Sequence, residues 1–231
     1  MARGRLIALE GIDGCGKSTQ ARILSERLGA VSTFEPGATP LGSSLRALLL
    51  DRGSAPVSDR AEALLMAADR AQHVAEVIEP ALDAGRWVVT DRFAASTLAY
   101  QGFGRGLDRA TLETLVLWAT GGLRPDLTVL FDLPVEVAAA RRNGGALDRM
   151  EAEGVAFAQR VADGFLALAG EGRDPWLVLD ATEPVDLIAA TVWDAIAVLA
   201  GPSGTGGVDG IGGADGIGGA DGAGGIGGRA Q

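Results

Sequence analysis

Lysine is nearly absent from this chain: Lys17 is the only one, set against nineteen arginines among 231 residues. Cysteine and histidine are as scarce, with Cys15 and His73 the sole examples. One cysteine excludes an internal disulfide framework and fits a reducing compartment. The same scarcity leaves no zinc–thiolate cluster and no Ser/His/Asp grouping, so zinc and hydrolase chemistries are weak readings. Positive charge is in deficit, with a net charge of −10, and no basic stripe exists to bind nucleic acid by counterion release. Long apolar runs are missing as well. The most apolar C-terminal stretch, Leu187 to Leu199, is too short to cross a bilayer and carries Asp194. The N-terminus enters a strand within about five residues, and no signal peptide is visible. These absences predict a soluble, cytoplasmic protein without a membrane or nucleic-acid partner.

Glycine is what the chain has in excess, 35 residues in all. From Gly201 onward the sequence becomes Gly/Ala/Asp/Ile repeats, which bury too little apolar surface to offset the entropy of ordering. Their spacing is not the nine-residue period of calcium-binding β-rolls. Residues 201–231 are therefore expected to be a disordered tail, and residues 1–200 one domain with ample core.

The arginine bias has emptied every cationic position of lysine but one. Lys17 lies in Gly11-Ile12-Asp13-Gly14-Cys15-Gly16-Lys17-Ser18, followed by Thr19, which is the G-x-x-x-x-G-K-S pattern of an ATP-binding phosphate loop. Such a loop needs a compact ammonium on a flexible stem to reach the β- and γ-phosphates; a planar guanidinium has the wrong shape. The pattern arises by chance in roughly one chain in a hundred of this length. Its setting is also right. Leu6-Ile7-Ala8-Leu9 reads as a buried strand entering the loop, and Ala21, Leu24 and Leu28 mark one face of a helix leaving it. Cys15 sits near a helix N-terminus, where a thiolate is favoured, but also fits as the filler of a small-residue slot. Asp13 is out of place among phosphate-seeking amides unless it points at a sugar hydroxyl or a metal-bound water.

Strands and helices alternate through the rest of the domain. Val31 to Phe34 reads as a strand and Leu41 to Leu50 as a helix, and Asp59 with Glu62 forms a capping box for a long helix running towards Pro80. Arg86 to Thr90 is a short apolar strand ending in Asp91, and Asp108 caps a helix that stops at Gly121-Gly122. Leu127 to Leu133 is a further strand, followed by helices from Pro134 to Arg141 and from about Glu153 to Ala169. Trp176 to Leu179 gives a last strand and Val185 to Leu199 a closing helix. The alternation predicts an α/β fold of the P-loop NTPase type, a five-stranded parallel sheet flanked by helices in three layers. Ligands of such sheets sit beyond the strand C-terminal ends, so the phosphate loop, Phe34-Glu35, Asp91-Arg92 and Asp132 share one rim.

Asp91 is placed to hold Mg²⁺ directly or through water, with Ser18 supplying a hydroxyl ligand. A helix cap is the other reading of Asp91; the adjoining Arg92 favours the metal-and-phosphate one. The stretch from Arg141 through Arg142 to Arg149 is dense in arginine. It reads either as a solvated connection or as a lid, about residues 141–152, that brings guanidinium groups over transferring phosphates. His73 lies within the long helix and reads as structural.

Together these residues resemble the thymidylate kinase family over residues 5–200. The family's loop E-G-x-[DE]-G-x-G-K-[ST]-T is matched by Glu10 to Thr19. Its T-R-E-P-G-G-T appears as Thr33-Phe34-Glu35-Pro36-Gly37-Ala38-Thr39, followed by Leu45-Arg46. Its L-L-F-x-A-x-R becomes Leu64-Leu65-Met66-Ala67-Ala68-Asp69-Arg70. Asp91-Arg92-Phe93, the run from Ser96 to Gly106, Arg124-Pro125-Asp126 and Leu147-Asp148-Arg149 follow in family order.

The resemblance implies an enzyme that uses ATP with Mg²⁺ to convert dTMP to dTDP on the way to dTTP, working as a homodimer. It implies that Arg92 and Arg46 bind the acceptor phosphate, that Arg70, Thr97 and Gln101 face the base alongside Glu35, and that Tyr100 packs beneath the deoxyribose. Asp13 would position the sugar end or metal-bound water. Lys17, Asp91 and Arg92 would act in catalysis. A subtype without a basic residue in the phosphate loop takes its catalytic arginine from the lid, where Arg149 and Arg142 are the candidates. Two departures stand out: Met66 occupies the usual place of a thymine-stacking Phe, and Phe34 replaces an Arg. A kinase for dUMP, dCMP or a modified deoxynucleotide, and a P-loop module without kinase activity, are the competing readings.

Overall fold

The computed structural model describes residues 2–141 and 148–200. The strands β1 (Leu6–Glu10), β2 (Val31–Phe34), β3 (Val88–Asp91), β4 (Leu127–Asp132) and β5 (Trp176–Asp180) form one sheet in the order β2-β3-β1-β4-β5. Every pairing is parallel. The described helices are α1 (Lys17–Leu28), α2 (Pro40–Leu50), α3 (Asp59–His73), α4 (Glu79–Asp83), α5 (Ala94–Thr97), α6 (Arg109–Ala119), α7 (Val135–Arg141), α8 (Val155–Gly170) and α9 (Val185–Ala200). Two π-helical segments, Val74–Ile78 and Leu98–Gly104, extend α3 and α5.

Side chains alternate across β1 as strand geometry requires. Leu6 and Ala8 join Val74, Ile78 and Leu82 on one face, while Ile7 and Leu9 meet Ala21, Val161, Phe165 and Ile196 on the other. The sheet is thus covered on both sides, which is why β1 reads as an unbroken apolar run. The layer architecture expected of the alternation is the one formed. Among the described residues no helix is long and apolar enough to cross a membrane. The expected tail, 201–231, lies outside the described residues.

Three local features differ from the sequence reading, each for a physical reason. The cap of α3 is Ser58, whose side chain accepts from the Ala61 amide, so Asp59 is the first helical residue. The long helix does not stop near Pro80. The π turn makes the Glu79 amide reach Val74, five residues back, and the widened turn carries the helix past a residue that has no N–H to give. The segment after Arg92, which the sequence leaves without an element, is helical from Ala94 and then π-helical through Gly104. Its glycines hide the helix from propensity but permit its packing. A Cβ on Gly164 of α8 would come within 2.7 Å of the Phe103 ring, so α8 lies hard against this segment because position 164 has none.

Candidate active site

Three glycines of the phosphate loop, Gly11, Gly14 and Gly16, hold positive φ of 139°, 86° and 100°, a path that L side chains resist. Lys17 begins α1 and is buried; its ammonium donates to the carbonyls of Gly11 at 3.1 Å and Ile12 at 2.9 Å. It also lies 3.6 Å from the sulfur of Cys15, which is buried. Ser18, one residue on, donates to Asp91 Oδ2 at 2.6 Å. Asp91 ends β3 opposite Leu9, so sheet register brings hydroxyl and carboxylate together beside the loop. Two adjoining hard oxygens at a phosphate site fit Mg²⁺, which takes few protein ligands and fills its octahedron with phosphate and water.

Arg92 is the only described non-glycine residue with positive φ, 76°. That conformation costs on the order of 1–3 kcal/mol and persists only where the surroundings over-determine it. Here they do. The guanidinium donates to Gly11 O at 3.0 Å, Ser96 Oγ at 3.2 Å, Asp13 Oδ1 at 2.6 Å and the Tyr100 hydroxyl at 2.9 Å. Tyr100 in turn donates to Asp13 Oδ2 at 3.1 Å. Burial works against Asp13 ionising, but the Arg92 and Lys17 charges overcome it and hold the carboxyl well below its usual range. Burial likewise drives the Tyr100 phenol well above 10.0, so it stays a donor. The surprise of a carboxylate inside a phosphate loop is thereby resolved: Asp13 faces Arg92 and Tyr100.

Beneath this group lies Glu10, fully buried, with burial pushing its carboxyl up to about 7 against the pull of Ser96 and Arg92. It accepts from the Phe93 amide at 2.9 Å, the Ser96 amide at 3.2 Å and the Ser96 hydroxyl at 2.6 Å, fastening the start of α5. Sequence reasoning gave Glu10 no role. Its signals were a carboxylate closing an otherwise apolar strand and the opening position of the family's loop pattern.

Next to Arg92 a cleft opens. The residues expected to meet the acceptor, namely Asp13, Glu35, Arg46, Met66, Arg70, Arg92, Thr97, Tyr100 and Gln101, all line it. So do Leu50, Ser96, Asp148 and Met150, which the sequence reading did not assign to it. Arg70 is buried and deeply fixed: Nε meets Glu35 Oε2 at 2.9 Å, Nη1 meets Thr97 Oγ1 at 2.7 Å and Nη2 meets Phe93 O at 2.9 Å. Glu35 also takes His73 Nδ1 at 2.9 Å, and Nε2 of that ring lies 2.7 Å from Thr33 Oγ1. Because a carboxylate only accepts, Nδ1 carries a hydrogen and donates it to Glu35, while Nε2 and the threonine hydroxyl share the second bond. His73 is structural, tying β2 to α3. Asp69, raised by its burial and then by the Glu35 charge, takes the Gly37 amide at 3.0 Å and steadies the same loop. Arg46 donates to Pro36 O at 2.7 Å, and Phe34 lies 5.8 Å from its guanidinium, an exposed ring where a second cation would repel.

Of the two lid candidates, only Arg149 is among the described residues, and it is not brought to the phosphate loop. Arg142 lies outside the described residues. Arg149 turns to the connection between α2 and α3, with Nη2 donating to the carbonyls of Asp51, Ser54 and Ala55 at 3.1, 3.2 and 3.0 Å. Asp51 caps the end of α2, and Ser54 and Ala55 follow it in the connection, so Arg149 gathers backbone carbonyls just past a helix C-terminus, where a cation is favoured. Arg149 does not line the cleft, although its neighbours Asp148 and Met150 do.

A phosphate loop, an adjoining hydroxyl–carboxylate pair and an arginine shared with a second ligand cleft define a P-loop phosphotransferase that handles two ligands at once. The comparisons with known proteins say which. The family model described as thymidylate kinase matches residues 9–192. A thymidylate kinase from Synechococcus is 55% identical over 197 residues, covering 80% of this chain and 93% of that one. One from Cupriavidus metallidurans is 50% identical over 202 residues, 85% of this chain and all of its own length. The crystal structure of thymidylate kinase from Ehrlichia chaffeensis superposes with a TM-score of 0.69 at 29% identity, covering 84% of this chain and 99% of that one. The chain belongs to the thymidylate kinase family.

Proposed function

We propose that this protein transfers the γ-phosphoryl group of ATP to the 5′-phosphate of dTMP, giving ADP and dTDP. The observation that carries this reading is Arg92, whose guanidinium touches the phosphate loop at Gly11 O and lines the acceptor cleft. A phosphate held there adjoins the loop that would cradle the donor's phosphate chain. The acceptor oxygen is already anionic at neutral pH, so the chain need not supply a strong base. Its work is alignment and the offset of repulsion between two polyanions. Lys17 moves from the loop carbonyls onto donor phosphate oxygens, and Arg92 with Arg46 takes the acceptor phosphate. Ser18 and Asp91 hold Mg²⁺, which when bound neutralises charge on the donor phosphates. Arg70, Thr97 and Gln101 read the base, Glu35 fixes Arg70, Met66 packs on the base, and Tyr100 packs beneath the sugar. Arg149 and Arg142 are the arginines of the lid, and for Arg149 this requires release from the carbonyls it holds.

The protein works as a homodimer, with exposed Leu64 of α3 and Leu117 and Trp118 of α6 as apolar surface for a second copy. Sedimentation at micromolar concentration reads this directly. The activity is tested by steady-state ATP consumption with dTMP, dUMP, dCMP and no acceptor. Stimulation by dTMP above the others supports the reading. Equal ATP use with and without every acceptor overturns it.

A further inference from the structure

Glu62 is a buried carboxylate in the first turn of α3, and acceptor binding as described above gives it no part. Its Oε1 accepts from Gln101 Nε2 at 2.9 Å and from Arg105 Nε at 3.2 Å, while Oε2 accepts from Arg105 Nη2 at 3.0 Å. Arg105 is braced in turn by Glu153 at 2.6 Å and Asp59 at 3.6 Å. A carboxylate can only accept hydrogen bonds, so the amide of Gln101 has one permitted orientation. Its NH₂ end faces Glu62. Its Oε1, to which no described residue donates, is left for the cleft that Gln101 lines. Beside it Arg70, with Thr97, Phe93 and Glu35 engaging its other hydrogens, keeps one Nη1 hydrogen uncommitted among the described residues.

The cleft therefore offers a donor from Arg70 and an acceptor from Gln101. A thymine or uracil presents the complement, a carbonyl O4 beside an N3–H. Cytosine presents the reverse, an amino group beside a bare N3 lone pair. We infer that Glu62 is a specificity-determining positioning residue: by locking the Gln101 amide, it makes the site read N3–H and reject cytosine nucleotides. This rests on the proposed acceptor site. It assigns the choice of pyrimidine to a residue that itself touches no ligand, acting through a hydrogen bond that cannot be reversed.

The test compares kcat/KM for dTMP, dUMP and dCMP in the wild type, in Glu62→Gln and in Gln101→Met. The amide introduced by Glu62→Gln can donate or accept, so Gln101 is free to turn its NH₂ towards the base. The dCMP:dTMP ratio of kcat/KM is expected to rise at least about tenfold. It stops short of parity because Arg70 still faces the amino group. The dUMP:dTMP ratio is expected to hold, since both bases carry O4 and N3–H. Ratios do not depend on the fraction of enzyme folded, and a merely structural role lowers all three acceptors together. Gln101→Met removes the orientable amide and is expected to raise the same dCMP:dTMP ratio; it keeps the idea testable if Glu62→Gln fails to fold. An unchanged dCMP:dTMP ratio in either variant that folds overturns the inference. A wild type whose ATP consumption ignores dTMP overturns the acceptor reading instead.

Discussion

Replacing Glu10 by glutamine keeps the shape of the side chain and its acceptor for the Phe93 and Ser96 amides, but removes a titrating group from the centre of the fold. The ordinary value of 4.5 applies in the unfolded chain, and burial raises it to about 7 in the native state. Between those values the folded protein holds a proton that the unfolded chain has lost. Stability contributed below pH 4.5 is therefore lost as pH rises through 7, by about 3 kcal/mol in total at ~1.4 kcal/mol per pH unit. No solvent discount applies, because the residue is 0% exposed. Urea unfolding of wild type and Glu10→Gln at pH 5 and pH 8 isolates this term. Asp69, also raised by burial, contributes a loss of the same sign in both proteins and cancels in the difference. The stability of Glu10→Gln relative to wild type should improve by about 2–3 kcal/mol between the two pH values. A relative stability constant within about 0.5 kcal/mol across that range would refute the buried-carboxyl account.

Lys17→Ala should cut kcat by about a hundredfold or more while the protein still unfolds cooperatively; near-normal turnover sinks the phosphate-loop assignment. Tyr100→Ala should relax discrimination against ribothymidylate, so an unchanged ratio of deoxy- to ribo-acceptor counts against its place under the sugar. The same change removes a ring packed edge-on to Phe157 and Phe165, each at 6.2 Å, and should cost about 3–5 kcal/mol of stability in urea unfolding. Arg149→Ala should lower kcat at least about a hundredfold. An unchanged kcat with a lowered melting temperature would confine Arg149 to the carbonyls of Asp51, Ser54 and Ala55.

The parts legible in the sequence were those set by local physics. The glycines and lysine of the phosphate loop follow from backbone path and ammonium reach, and Asp91 and Arg92 from the end of an apolar strand. The Asp108 cap is there, accepting from the Thr111 amide at 2.8 Å, and Gly121 and Gly122 end α6 in left-handed conformation. What stayed hidden depends on partners far away in the chain. Glu10 acquires its role only because Ser96 folds back over it, 86 residues later. The locking of Gln101 needs Glu62 and Arg105 to converge from two helices, which no spacing rule reveals. The helix after Arg92 escaped notice because Gly102 and Gly104 argue against helix locally, whereas α8 packs closely along that segment. The resting place of Arg149 was hidden for a related reason: a guanidinium suits phosphates and backbone carbonyls alike, and composition cannot tell which it holds.

The ring of partners around Arg92 has one more consequence, for the crowd of small anions in any cell. A bare guanidinium at the mouth of a phosphate site would collect inorganic phosphate or sulfate and be blocked by it. Here Asp13, Gly11 O, Ser96 and Tyr100 already satisfy that charge. An incoming anion must win Arg92 away from a carboxylate, and charge alone offers little advantage in that exchange. A ligand that also brings a sugar and a base to fill the cleft gains enough elsewhere to do so. In the proposed site, the acid inside the loop would thus act against competing small anions and favour whole nucleotides.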